Sequence, residues 1–180
     1  TKISATIFNI KGERYQNKED ILSDLYEIRD LVNSKHNGLF VDVVEDFIVK
    51  VNLFGFHFTH LDIRQDSRIH THVLDQVFAS YHQGHLNDSI QGKIPKNYSE
   101  LSDSEKIQVL LNIQGQVDSD LFDEEIVRET LKSFQVIQQI QNENGEKGCH
   151  RYIISNTQST LNIIEVYALA RLCEIGRAHV

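Results

Sequence analysis

The sequence predicts a predominantly helical α/β fold, with about six helices and two short strands that lie parallel in one sheet. The strands are expected at about 56–63, FHFTHLDI, and at 151–155, RYIIS, because both runs are rich in β-branched and aromatic residues. Helical patterns separate the two runs, so they cannot form a hairpin. Two strands are too few for a parallel sheet covered on both faces, which predicts a piece of a larger α/β enzyme.

The first helices follow from apolar spacing and from capping residues. After an ambiguous segment over residues 1–16, Asn17 is a favourable N-cap for a helix that Gly38 ends. A second helix, over about 40–54, has one apolar and one charged face and ends at Gly55.

The later helices are predicted in the same way. Asp66 or Ser67 caps a third helix that frays near Gly84, and Ser102 with Glu105 forms a capping box for a fourth. Two more helices are expected, over about 123–142 and from Ser159 or Thr160 onward.

Composition limits the function classes. The chain has 180 residues and a net charge of −8, which argues against binding to nucleic acid or to an anionic membrane surface. No apolar run approaches the roughly 20 residues of a membrane span. Cys149 and Cys173 are too few for a disulfide framework or a zinc site, and a reducing cytosol is the simplest compartment.

The two ends of the sequence indicate truncation. The chain does not begin with Met, and residues 175–180, IGRAHV, can be reverse-translated as ATC GGA AGA GCA CAC GTC, a common sequencing-adapter sequence. We therefore expect residues 1–174 to be one native segment and residues 175–180 to be a read-through tail.

A polar stretch follows the first predicted strand, at the position where parallel α/β folds bind ligands. Within it, Arg64 offers a fork of donors suited to phosphate or carboxylate. The same arginine could instead form a structural ion pair with Asp62 or Asp66. Spacing alone leaves both interpretations open.

Four histidines lie close to this stretch, but their spacing does not favour a metal site. His57 and His60 would point to opposite faces of the predicted strand, and His70 and His72 do not share a helical face. Packed or surface histidines are expected. His70 stays a candidate because it lies one helical turn beyond the loop that carries Arg64.

Two blocks of the sequence resemble the phosphoenolpyruvate carboxylase family. FGFHFTHLDIRQDSRIHTHVLD is similar to the family segment FGxxLxxxDIRQES followed by RHTxAL, with Asp66 in place of the usual glutamate and Ile69 at a position that is often arginine. RYIISNTQSTLNIIEVYAL is similar to YVISMAKTxSDVLAVxLL, with Asn156 and Gln158 departing from the commoner pattern. The order of the blocks and the helical spacer between them also agree.

The resemblance implies a fragment of a (β/α)-barrel enzyme that carboxylates phosphoenolpyruvate with bicarbonate, giving oxaloacetate and phosphate in anaplerotic carbon fixation. Arg64 would stand at the C-terminal mouth of a barrel strand and bind the anionic substrate, with Asp62, Gln65 and His70 as supporting residues. The family uses Mg²⁺, whose ligands are expected outside this chain. The whole protein is expected to be a cytoplasmic homotetramer, and the fragment alone to be inactive.

Two other functions remain open from the residues alone. One is another barrel enzyme, such as an aldolase or lyase, that uses Arg64 as an anion site without bicarbonate. The other is a non-enzymatic, acidic, helical interaction domain in which the Arg64 turn is only a salt-bridged cap.

Overall fold

A computed structural model of the protein describes residues 1–8, 10–57 and 59–175. The chain forms two compact units, Thr1–His60 and Leu61–Val180. The described residues contain seven α-helices, one more than expected, because the ambiguous N-terminal segment includes a short helix.

The first unit is helical. Its helices are α1 (Lys2–Ile7), α2 (Lys18–Lys35) and α3 (Val41–Phe54). Asn17 caps α2 as predicted, because its side-chain oxygen accepts a hydrogen bond from the Asp20 amide at 2.9 Å. A small core joins α2 and α3 and consists of Tyr15, Ile21, Leu22, Leu25, Ile48 and Val51.

The second unit contains the strands and the larger core. Its elements are β1 (Asp62–Asp66), α4 (Ser67–His82), β2 (Ile90–Gln91), α5 (Asp103–Asn112), β3 (Gln114–Gly115), α6 (Glu125–Asn144), β4 (Arg151–Ser155) and α7 (Thr160–Leu172). The predicted capping box of Ser102 and Glu105 is present at the start of α5. Helix α7 is apolar on most sides and lies in the core, with Ala168, Leu169 and Leu172 fully buried.

The predicted parallel pairing is confirmed. β1 and β4 pair in parallel, in a register that runs from Asp62 opposite Arg151 to Asp66 opposite Ser155. A second, antiparallel pair of two-residue strands, β2 and β3, was not predicted. The β1–β4 sheet has two different faces, because Ile63, Tyr152 and Ile154 pack against the helical core.

The opposite face of this sheet is called the open face here. By strand alternation it carries Asp62, Arg64 and Asp66 of β1 and Arg151, Ile153 and Ser155 of β4. Arg64 and Ile153 are both exposed on it. Every charged residue of the two strands therefore belongs to one face.

The predicted position of the first strand, 56–63, is wrong. The strand is Asp62–Asp66, and Phe56 and His57 lie in a turn after α3, while Phe58 is outside the described residues. The aromatic and β-branched residues of 56–63 favour a strand there. Pairing with β4 uses backbone groups, however, and does not require apolar side chains. The charged stretch that had been assigned to the turn is therefore the strand itself.

Of the predicted tail, residues 176–180 lie outside the described part of the chain. Ile175 is buried against the larger core, and its amide donates to the Ala170 carbonyl at 2.9 Å. Within the described residues, none of the helices combines the length and apolar character that crossing a bilayer requires.

Candidate functional site

Arg64 is the central residue of β1 and pairs in register with Ile153. It was expected after the end of the strand, and it lies two residues before that end. Strand alternation places its side chain on the open face, away from the helices. The change of position leaves Arg64 accessible, since the residue is exposed.

Two carboxylates flank Arg64 on the open face, and each is engaged by a different arginine. Arg151 Nε lies 3.0 Å from Asp62 Oδ1, across the two strands. Arg68 binds Asp66 through two parallel contacts, from Nε at 2.9 Å and from Nη2 at 2.8 Å. This two-pronged geometry is the strong form of an arginine–carboxylate pair.

Arg64 itself forms no hydrogen bond or ion pair within the described part of the chain. The structural ion pair with Asp62 or Asp66, which the sequence left open, is therefore absent there. The guanidinium is presented on the open face with its donors available to a ligand.

Asp66 also fixes the start of α4. Its Oδ1 accepts a hydrogen bond from the Arg68 amide at 2.9 Å, as an N-cap does. The Arg68 side chain, followed by the Arg68 amide, lowers the pKa of Asp66 to about 2, and the Asn156 side chain contributes. Asp66 is thus a carboxylate anion whose charge is already balanced.

Gln65 makes a local contact at the end of β1, and Ser67 links the start of α4 to the turn after β4. The Gln65 side-chain oxygen accepts a hydrogen bond from the Asp66 amide at 2.9 Å. The Ser67 hydroxyl is buried and donates to the Asn156 carbonyl at 2.8 Å, where Asn156 has a φ of +57°. The Ser67 hydrogen bond holds the turn after β4 against the first residue of α4.

His70 lies on the other side of the sheet, in the core. It is 0% exposed, and its Nε2 lies 2.9 Å from the Tyr152 hydroxyl. Burial lowers the pKa of His70 to about 4, against an opposing effect of the Asp66 charge, so the ring is neutral at pH 7. This environment is that of a packed histidine, and Nδ1 has no partner among the described residues.

A buried polar cluster between α4 and α7 was missed by sequence reasoning. Glu165 is 3% exposed and accepts hydrogen bonds from the Thr71 hydroxyl, at 2.9 and 3.1 Å, and from the Asn162 amide at 3.1 Å. Burial raises the pKa of Glu165. The available signal was a lone carboxylate within the apolar stretch of the last helix.

The histidines near the site do not complete a metal centre. His57 lies in the turn after α3 and His60 in the irregular segment before β1, with ring centroids 5.0 Å apart, so their predicted placement on opposite strand faces is wrong. Even so, no group of three or more His, Cys, Asp or Glu side chains in the described ranges could hold a metal ion. These residues therefore do not fit a magnesium site.

The comparisons with known proteins agree with the two sequence blocks. The family model for phosphoenolpyruvate carboxylase matches residues 2–180. A phosphoenolpyruvate carboxylase of Synechococcus sp. is 32% identical over 169 residues, which are 92% of this chain and 15% of the relative. The corresponding protein of Thermosynechococcus vestitus is 30% identical over 164 residues, 89% of this chain and 15% of the relative.

The relatives also show which share of the longer proteins this chain covers. The chain spans about 15% of the length of the curated relatives it matches, and the match runs over almost all of this chain. The chain therefore belongs to the phosphoenolpyruvate carboxylase family.

Proposed function

We propose that the full-length protein containing this chain is a carboxy-lyase that joins phosphoenolpyruvate to bicarbonate, giving oxaloacetate and inorganic phosphate. In this proposal Arg64 binds an anionic group of the substrate. The observation that carries it is the guanidinium of Arg64, which has no partner among the described residues and lies between two carboxylates that are each paired with another arginine.

The chemistry of the substrate explains why an available arginine is needed. Phosphoenolpyruvate carries a phosphate and a carboxylate, and a planar guanidinium binds either group through two parallel hydrogen bonds. Negative charge moves between the phosphoryl group and the enolate during carboxylation. A fixed cation in this position stabilises that charge without reorganising during the reaction.

The two-stranded sheet fits a place within a (β/α)-barrel. Helices cover one of its faces, and neither β1 nor β4 has a second strand neighbour among the described residues. In a barrel the open face would look toward the interior, where Arg64 would meet substrate. In this proposal the Mg²⁺ ligands lie in other parts of the full-length protein. The full-length protein is proposed to be a homotetramer in the cytoplasm.

The test is substitution of Arg64 in the full-length protein, with oxaloacetate formation followed by coupling to malate dehydrogenase. Arg64→Ala removes a charged hydrogen-bond donor, so kcat/KM should fall roughly 10- to 150-fold, as expected for about 1.5–3 kcal/mol. Arg64→Lys keeps the charge but loses the fork, and it should restore only part of the activity. Arg29→Ala, which removes a partly exposed arginine paired with Asp30 in the first unit, is the matched control.

The outcomes separate the competing functions. Turnover that requires bicarbonate and falls with Arg64→Ala supports the carboxylase. Turnover of phosphoenolpyruvate that is independent of bicarbonate would favour an aldolase or another lyase. Unchanged activity with lowered thermal stability in Arg64→Ala would instead assign Arg64 a structural role.

A further inference from the structure

Three arginines and two carboxylates meet at the open face: Arg64, Arg151, Asp62 and Asp66 belong to it, and Arg68 of α4 binds Asp66. Residues two apart on a strand share a face and lie about 6–7 Å apart, so Asp62 and Asp66 are both within reach of the long Arg64 side chain. The register also brings Arg151 to this face, opposite Asp62. Three cations against two anions leave one positive charge, in a protein whose net charge is −8.

The partners decide where that positive charge resides. Arg151 holds Asp62 at 3.0 Å, and Arg68 holds Asp66 at 2.8 and 2.9 Å. If either carboxylate lost its partner, Arg64 would be the nearest remaining arginine on the same face. The carboxylate would then occupy the guanidinium fork that an anionic substrate needs.

We propose that Arg151 and Arg68 are positioning residues for Arg64: by engaging Asp62 and Asp66, they leave the Arg64 guanidinium available to the substrate anion. This inference rests on the proposed function. Neither arginine needs to touch substrate, since each acts through the carboxylate that it holds. The substrate then does not have to displace a carboxylate that belongs to the protein.

The two pairs differ in how firmly the carboxylate is held. Asp66 keeps the Arg68 amide and a contribution from Asn156 even without the Arg68 side chain. Asp62 has Arg151 as its one ion-pair partner among the described residues. Loss of Arg151 should therefore affect Arg64 more than loss of the Arg68 side chain.

The test is a double-mutant cycle in the full-length protein, with KM for phosphoenolpyruvate and kcat measured at saturating bicarbonate. Arg151→Ala should raise KM about tenfold, equivalent to about 1.4 kcal/mol, with a small change in kcat. In an Asp62→Asn background, which lacks the competing charge, Arg151→Ala should leave KM unchanged. Arg29→Ala should leave KM unchanged in both backgrounds.

A second cycle covers the case in which Arg151→Ala fails to fold. Arg68→Ala should raise KM by a smaller factor, and Asp66→Asn should cancel the increase, because asparagine still caps α4. An unchanged KM in Arg151→Ala, or an equal increase in both Asp62 backgrounds, would overturn the inference. If Arg64→Ala itself left kcat/KM unchanged, the substrate-binding role proposed for Arg64 would fail, whereas a large Arg64→Ala effect without coupling removes only the positioning roles.

Discussion

The Tyr152 hydroxyl lies 2.9 Å from Nε2 of His70, and this hydrogen bond joins strand β4 to helix α4 inside the core. Tyr152 also stacks on Phe134 of α6, with ring centroids 5.2 Å apart. One side chain of the sheet thus contacts two of the helices that cover it. The hydrogen bond to Tyr152 explains why His70 is buried between the sheet and the helical core.

The pH dependence of stability should report on His70. Burial lowers its pKa from 6.5 to about 4, so the unfolded chain takes up a proton before the folded chain does. The free energy of unfolding is therefore unaffected by this group above pH 6.5. It decreases as the pH falls from 6.5 toward 4, by about 3 kcal/mol in total.

Urea unfolding of the 180-residue chain between pH 7.5 and pH 4.5 would measure this loss. His70→Phe should flatten this part of the profile, and His85→Gln, which changes an exposed histidine, should not. An equally steep profile in His70→Phe would contradict the assignment.

Removing the Thr71 hydroxyl should destabilise the protein. Thr71→Val leaves the buried Glu165 carboxylate with the Asn162 amide as its remaining described partner, at a cost of about 1–3 kcal/mol. Thr71→Ser keeps the hydroxyl and should cost less. Chemical denaturation at pH 7 measures both variants, and equal losses would show that the methyl group matters more than the hydrogen bond.

Replacing Glu165 by glutamine should stabilise the protein at pH 7. The raised pKa of Glu165 means that the folded state disfavours the ionised carboxylate. Ionised Glu165 therefore destabilises the folded state increasingly as the pH rises above the unfolded pKa near 4.5. Glu165→Gln removes the charge and keeps an oxygen that accepts from Thr71. The melting temperature should exceed that of the unmodified protein at pH 7 and approach it near pH 4.

Gly115 in β3 should tolerate no side chain. A Cβ there would overlap the carbonyl oxygen of Ser89 on the neighbouring backbone, so Gly115→Ala should cost more than about 3 kcal/mol. Gly145→Ala is the comparison, because it has open space but a φ of +85°. Its cost should be about 1–3 kcal/mol of backbone strain, because its ψ of 158° completes a conformation that is nearly confined to glycine. Similar melting temperatures for the two variants would contradict this account.

The isolated 180-residue chain should not turn over phosphoenolpyruvate. It spans about 15% of the length of its curated relatives, and Arg64 by itself is insufficient for the proposed reaction. The malate dehydrogenase-coupled assay with bicarbonate and Mg²⁺ should show no rate above background. Measurable turnover by the purified chain would refute this expectation.

Sequence reasoning located Arg64 but misjudged the local structure around it. The run at about 56–63 matched a strand in composition, whereas β1 is the charged stretch Asp62–Asp66. The composition of a segment indicates how well its side chains suit a half-buried sheet surface. It does not identify which residues form backbone hydrogen bonds with the partner strand. The prediction placed Arg64 in a turn, whereas Arg64 lies in the middle of strand β1. Its side chain is exposed in both placements.

The sequence by itself determined the features that depend on nearby residues. Periodic apolar positions and the caps at Asn17 and Ser102 specified helices, because their interactions join residues three or four apart. Only the tertiary structure decided that Arg151 holds Asp62, that His70 contacts Tyr152, and that Arg64 has no partner in the described part of the chain. Those relationships join distant parts of the chain, and they depend on a strand register that the core and the partner strand set together.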